Sequence, residues 1–240
     1  MLSFLGEAPM KININEVNPA LISILNNPNQ IITLDANFLI PPNRSSITRK
    51  GFEFPQFKKI WLDPIFTAFP RIAIHEAVYE ELVNTSLREY VEILKAENPP
   101  RIIIHSDSEL TDTEKILRDS IEDKIYQHTK YDPKLDNKDD RGEVKSLSYI
   151  AVKEFLYFAA HDNNALKLIE KAEQWSTGLD NVNAIHMYEL IFYLYFKNLG
   201  DKASLRMLYK YQYHLTDYEK RTNPEWGEFT SAMESLYRQE

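Results

Sequence analysis

Apolar and polar positions along the chain fall into two alternating textures. Short runs of β-branched and apolar residues, such as Ile31-Ile32-Thr33-Leu34, Ile102-Ile103-Ile104 and residues 155–160 and 182–187, read as buried strands. Pro70-Arg71-Ile72-Ala73-Ile74 reads as a further short extended piece. Between them lie stretches with helical spacing. Residues 75–84 predict a helix that continues to about 95, and residues 142–154 carry Val144, Leu147, Ile150 and Ala151 on one face. Further helices are predicted over 57–66, interrupted at Pro64, and over 111–126, 163–175 and 188–198. Thr111 and Glu114 have the spacing of a capping box. Strands that alternate with helices predict an α/β fold with a central parallel sheet and helices on both faces.

The texture changes after Gly200, where a tyrosine-rich helical stretch begins. Residues 1–28 therefore read as an N-terminal segment, 29–199 as the α/β domain, and 200–240 as a C-terminal helical extension. In the extension, Leu205, Leu208, Tyr211 and Leu215 form one apolar stripe, and Trp226, Phe229, Met233 and Leu236 a second. Asn223-Pro224 is expected to close the first tail helix.

Composition narrows the chemistry. With no cysteine in 240 residues, disulfides and thiolate metal sites are excluded, so a metal must be held by oxygen or imidazole. The six glycines are dispersed and form neither a P-loop nor a GxGxxG turn. No apolar run reaches bilayer length, and Met1 to Glu7 lacks a basic, apolar leader pattern, so a soluble cytoplasmic protein without a membrane is expected. The net charge of −8 opposes indiscriminate binding to phosphate, unless basic side chains are segregated or divalent ions intervene.

The acids sit at informative places. In open α/β sheets, ligands bind beyond the carboxyl ends of the strands. Asp35 follows the first strand and Asp162 follows the apolar run ending at Ala160. Glu81 and Glu143 lie on helices that follow loops, and right-handed crossovers bring such helix starts to the same edge. Glu76 and Glu80 compete with Glu81 for that position, and Asp140 is a further candidate ligand. Converging carboxylates repel one another, and a hard divalent ion, Mg²⁺ or Mn²⁺, relieves that repulsion.

These segments resemble the PIN-domain ribonucleases. The family opens with an apolar strand, an aspartate and a small polar residue two positions on, matched by Leu34-Asp35-Ala36-Asn37. Its second acid lies in a helix ending glutamate-leucine, matched by Glu80-Glu81-Leu82. Its third region reads Asp-x-Gly-Glu, matched by Asp140-Arg141-Gly142-Glu143. Its fourth is an aspartate after an apolar strand, matched by His161-Asp162-Asn163. The resemblance spans about residues 29 to 190. It implies a PIN-like three-layer fold and a hydrolase, specifically a nuclease, that cleaves RNA by metal-activated water. Asp35, Glu81, Glu143 and Asp162 would be catalytic, would bind the metal together with Asp140, and would be supported by Asn37. Two features depart from the family: the stretch 41–72 is longer than in its small toxin-type members, and the extension has no counterpart in its minimal ones.

Other residues carry competing readings. Lys134, Lys138, Arg141 and Lys145 flank the third acidic region and are candidates for phosphate contacts, or else part of a solvated loop. His75, His105, His161 and His186 lie near strand ends, where structural histidines are commoner than ligands. The tyrosines from 209 to 218 read as packing rather than as base-stacking platforms. The expected partners are RNA, an inhibitor of the antitoxin kind, and a second copy of the chain. The alternative function is a non-catalytic PIN-like scaffolding module. A haloacid-dehalogenase-like phosphatase is disfavoured, because Asn37 stands where that family needs a second aspartate.

Overall fold

In the computed structural model, which describes residues 11–48, 51–161 and 163–238, all five extended runs become strands of one parallel sheet. They are β1 (Ile32–Leu34), β2 (Ile72–His75), β3 (Ile102–His105), β4 (Tyr157–Ala160) and β5 (Asn183–His186), in the order β3-β2-β1-β4-β5. The helices follow in chain order. Before β2 come α1 (Pro19–Asn26), α2 (Ala36–Leu39), α3 (Phe54–Phe57) and α4 (Asp63–Ala68). Before β4 come α5 (Glu76–Glu81), α6 (Thr85–Ala96), α7 (Asp112–Ile125) and α8 (Arg141–Val152). Then come α9 (Asn163–Glu170), α10 (Ala172–Trp175), α11 (Met187–Phe196), α12 (Lys202–Tyr213), α13 (Asp217–Thr222) and α14 (Trp226–Tyr237). No helix among the described residues is long and apolar enough to cross a membrane.

Successive side chains of a strand point to opposite faces, and here each face meets its own core. Ile32, Leu34, Ile72, Ile74, Ile102, Tyr157, Ala159 and Ile185 join an apolar cluster with α1, α4, α6 and α11. Phe158 and Ala160 join a second cluster with α8, α9 and α10. The result is a three-layer α/β architecture, buried on both sides as apolar parallel strands require.

Local chemistry explains where the elements differ from the periodicity. The stretch 75–95 is two helices, because residues 82–84 interrupt it and the Asn84 side chain accepts the Leu87 N–H at 3.1 Å, capping α6. The stretch 163–175 likewise divides into α9 and α10. Pro64 does not break its helix. The turn before it widens into a π-helical segment, Lys58–Leu62, in which the Asp63 N–H reaches back to the Lys58 carbonyl. Helix α1 was not expected. Asn18 caps it through the Ala20 N–H at 2.9 Å, and Pro19 stands in its first turn.

The extension is three helices rather than two, and Asn223 closes the second of them. Leu205, Leu208, Phe229 and Met233 are fully buried, Tyr211 is buried, and Leu215 is half-buried. Helices α12 and α14 pack on α11 and enter the same apolar cluster as the sheet. Ile12 donates its N–H to Asn223 Oδ1 at 3.0 Å, and Asn18 its N–H to Tyr237 Oη at 2.7 Å. The N-terminal segment and the extension are thereby joined.

Candidate functional site

The strand order reverses beside β1. From β1 the chain builds outward through β2 to β3, then crosses back to add β4 and β5 on the other side. The crevice at such a reversal lies between the carboxyl ends of the two central strands, here β1 and β4. Asp35 occupies that seam. Its N–H donates to the Ala159 carbonyl of β4 at 2.9 Å, and its side chain is buried. Asp35 Oδ2 also accepts the Asn37 N–H at 3.3 Å, so the residue caps α2. Asn37 itself is exposed at the same edge. Strand alternation puts Thr33 and Asp35 on the face covered by α8.

Three glutamates of α5 are separated by their surroundings. Glu76 turns toward β3, where its carboxylate accepts the Asp107 N–H at 2.8 Å and the Ser106 hydroxyl at 2.6 Å. Glu80 is exposed and pairs with Arg141 at 2.8 Å. Glu81 meets the backbone of the first turn of α8, where Oε1 accepts the Gly142 N–H at 2.9 Å. A Cβ at residue 142 would lie 2.6 Å from that oxygen and 3.1 Å from Val78 Cγ2. The glycine of the Asp-x-Gly-Glu stretch is therefore what lets α5 and α8 close around Glu81.

Burial raises the Glu81 carboxyl from 4.5 to about 7, and repulsion by Asp35 adds to the rise. The Gly142 N–H and the Arg141 guanidinium act in the opposite direction, and Asp140 acts with Asp35. Glu81, Asp35 and Asp140 thus share one electrostatic neighbourhood. Glu143 is buried in the first turn of α8. Asp140 adopts a left-handed backbone conformation before that helix, and its Oδ2 accepts the Lys130 N–H at 2.8 Å. Asp162 lies outside the described residues. The residues on either side of it, His161 and Asn163, stand at the end of β4 and the start of α9.

The basic residues expected at phosphate are placed differently. Arg141 bridges Glu80 and Asp136, the latter at 2.9 Å, and so fastens α5 to the loop before α8. Lys145 donates to the buried Glu122 at 2.8 Å. Both guanidinium and ammonium are committed to carboxylates of the protein, which the spacing to Asp140 and Glu143 could not reveal. Lys138 remains exposed on the loop.

One constellation escaped the sequence reading. His75, Glu76 and Asp107 bring ligand-type atoms within 4.8 Å of one another at the ends of β2 and β3. His75 Nε2 lies 3.3 Å from Asp107 Oδ1, while its Nδ1 accepts the Ala77 N–H at 3.2 Å. Arg118 stands 3.5 Å from the other Asp107 oxygen and supplies positive charge there already. The acid-bearing ends of both strands were the available signal, but their adjacency depends on strand order. The remaining histidines are structural in their contacts. His105 stacks on Tyr149 and approaches Thr33 Oγ1 at 3.3 Å, His161 meets Tyr213 Oη at 3.3 Å, and His186 lies 3.8 Å from Glu170.

Among the described residues, His75, Glu76 and Asp107 are the group whose ligand atoms lie within 4.8 Å of one another; Asp35, Glu81, Asp140 and Glu143 form no such group. The seam offers carboxylates whose mutual repulsion shows at Glu81, driven toward protonation by burial and then by Asp35, a condition that a nearby cation would reverse. No protein-family model, curated protein or solved structure matches the chain.

Proposed function

We propose that the chain is a metal-dependent phosphodiester hydrolase of the PIN-like class, acting on RNA. The observation that supports this most is buried Asp35 at the switch point of a parallel sheet, in electrostatic range of a Glu81 that the Gly142 N–H holds. The choice of RNA comes from the resemblance of the four acidic segments to PIN-domain ribonucleases.

In this reading Asp35, Glu81, Glu143 and Asp162 would hold Mg²⁺ or Mn²⁺, with Asp140 alongside. A bound ion supplies activation of water and neutralises charge developing at phosphorus. The protein's share is preorganisation. Asp35 is fixed by its backbone bond to β4 and by the Asn37 N–H. Gly142 holds one Glu81 oxygen and so sets the direction of the other. With its carboxyl raised to about 7, Glu81 would have to release its proton to act as a ligand, so affinity for the ion would rise with pH.

The direct test is cleavage of 5′-labelled single-stranded RNA by the full chain, with Mg²⁺, with Mn²⁺ and with EDTA. Cleavage should require a divalent ion and should be lost in Asp35→Asn. Absence of cleavage with every divalent ion tried, or equal cleavage by the variant, rejects the proposal. The second reading, a non-catalytic PIN-like module that binds a protein, draws on one observation. Val83 and Ile93 are 86% and 61% exposed beside a cleft of about 640 Å³ between α5 and α6. It gains if the protein binds a partner but cleaves no RNA.

A further inference from the structure

Helix α12 carries Lys202, Arg206 and Lys210 at four-residue spacing, an exposed to half-buried cationic stripe on a chain whose net charge is −8. Four helical residues advance about 6 Å, a distance comparable to one nucleotide step of an extended strand. Arg206 and Lys210 line a groove of about 930 Å³ between α12 and the loop before α3. Phe52 and Met207 supply its apolar wall, and the Phe52 ring stands edge-on to Tyr211 with centroids 4.9 Å apart. Two acids border the groove. Glu53 is exposed, and Glu225 pairs with Lys210 at 3.4 Å in an ion pair open to solvent, which salt and a competing phosphate readily exchange.

The helix that carries the groove is anchored to the sheet through the core. At the end of α12, Tyr213 Oη contacts His161 Nδ1 at 3.3 Å, and His161 is the residue that follows β4. Arg44, on the loop after α2, donates to the carbonyls of Tyr211 and Gln212, both at 2.9 Å, and fastens the groove's floor to the chain leaving Asp35. Cations at nucleotide spacing and an aromatic ring on the groove's wall together match the needs of a single strand, which is bound by its phosphates and stacked by its bases.

We propose that the α12 groove binds single-stranded RNA. The groove stands on its own geometry, while the choice of RNA rests on the nuclease reading. The test is fluorescence anisotropy of a labelled oligouridylate with the full chain in EDTA, where metal-dependent cleavage cannot interfere. Arg206→Glu with Lys210→Glu alters side chains away from the core and should weaken binding on the order of tenfold or more near 0.1 M salt. The slope of log K against log salt should shrink by about 1.4, at about 0.7 for each lost phosphate contact. Phe52→Ala should weaken binding about tenfold with little change of slope. Unchanged affinity and slope in the double variant overturn the proposal, as does a wild-type chain that binds no oligouridylate, which would leave the groove to a protein partner. If RNA is still cleaved in either case, the nuclease reading survives without the groove. Groove-dependent binding without cleavage under any divalent ion would instead retain the groove and remove the nuclease reading.

Discussion

Replacing Glu81 by glutamine separates the electrostatic role of this side chain from its packing. The amide keeps the shape and can still accept the Gly142 N–H, but it cannot ionise. In the folded chain the Glu81 carboxyl is raised from 4.5 to about 7, by burial first and by Asp35 second. A group whose folded value is raised favours the folded state fully below its unfolded value, and that contribution is lost as pH rises through the folded value. The window here runs from about 4.5 to about 7. At about 1.36 kcal/mol per pKa unit the full effect would be about 3 kcal/mol. Glu81 is only half-buried, so solvent screening reduces this to roughly 1–2 kcal/mol. Without metal, Glu81→Gln should therefore match the wild type near about pH 4 and exceed its stability by that amount near about pH 8. Urea unfolding in EDTA at both pH values measures the difference, which corresponds to roughly 2–6 °C in Tm for a chain of this size. Added Mg²⁺ or Mn²⁺ should then stabilise the wild type more than the variant. A variant equally stable at both pH values, or weaker at the higher one, would show that Glu81 ionises at no cost and that its closeness to Asp35 has no energetic consequence.

Gly142→Ala places a methyl group where only 2.6 Å separates it from Glu81 Oε1. The expected loss is about 1–3 kcal/mol in stability, together with weaker divalent-ion binding by calorimetry; a variant with native metal affinity would mean that α5 can shift freely. Glu189 is fully buried and its carboxyl is pushed up to about 7 by that burial, so Glu189→Gln should be more stable by about 2–3 kcal/mol above neutral pH and equal to the wild type below about pH 4.5. A flat pH dependence of that difference would contradict the assignment. Deleting residues 201–240 uncovers α11 and removes Leu205, Leu208, Phe229 and Met233 from the main core, so the product should be insoluble or molten by near-UV circular dichroism; a soluble, folded truncation would show that the extension is an accessory.

The layers of the fold were legible because each strand is a short apolar run and each crossover keeps helical spacing. Asp35 was legible for the same reason, as an acid at the end of a buried strand. Glu81 was legible only as one of three glutamates. Its selection depends on where the Gly142 N–H lands, 61 positions away, and no local pattern carries that information. Arg141 and Lys145 stood beside acids in sequence, but their partners Glu80 and Glu122 come from other helices. Asp107 entered the cluster with His75 only because β2 and β3 are neighbours in the sheet. The breaks at Asn84 and Asn18 were written in the sequence as capping residues, and apolar periodicity running across or past them hid both.

The bonds from Ile12 to Asn223 and from Asn18 to Tyr237 join residues 211 and 219 positions apart. Closing a loop of that length costs about 5 kcal/mol in chain entropy beyond a constant, so these contacts belong late in folding. On a ribosome adding about 5–20 residues per second, α14 is made roughly 10–40 s after α1. Helix α11 is complete 41 residues before α14 ends (196 to 237), so its apolar face lacks that cover for roughly 2–8 s of the interval. A translational pause near residue 200 would therefore prolong the exposure of α11, whereas one near residue 100, before α11 exists, would not.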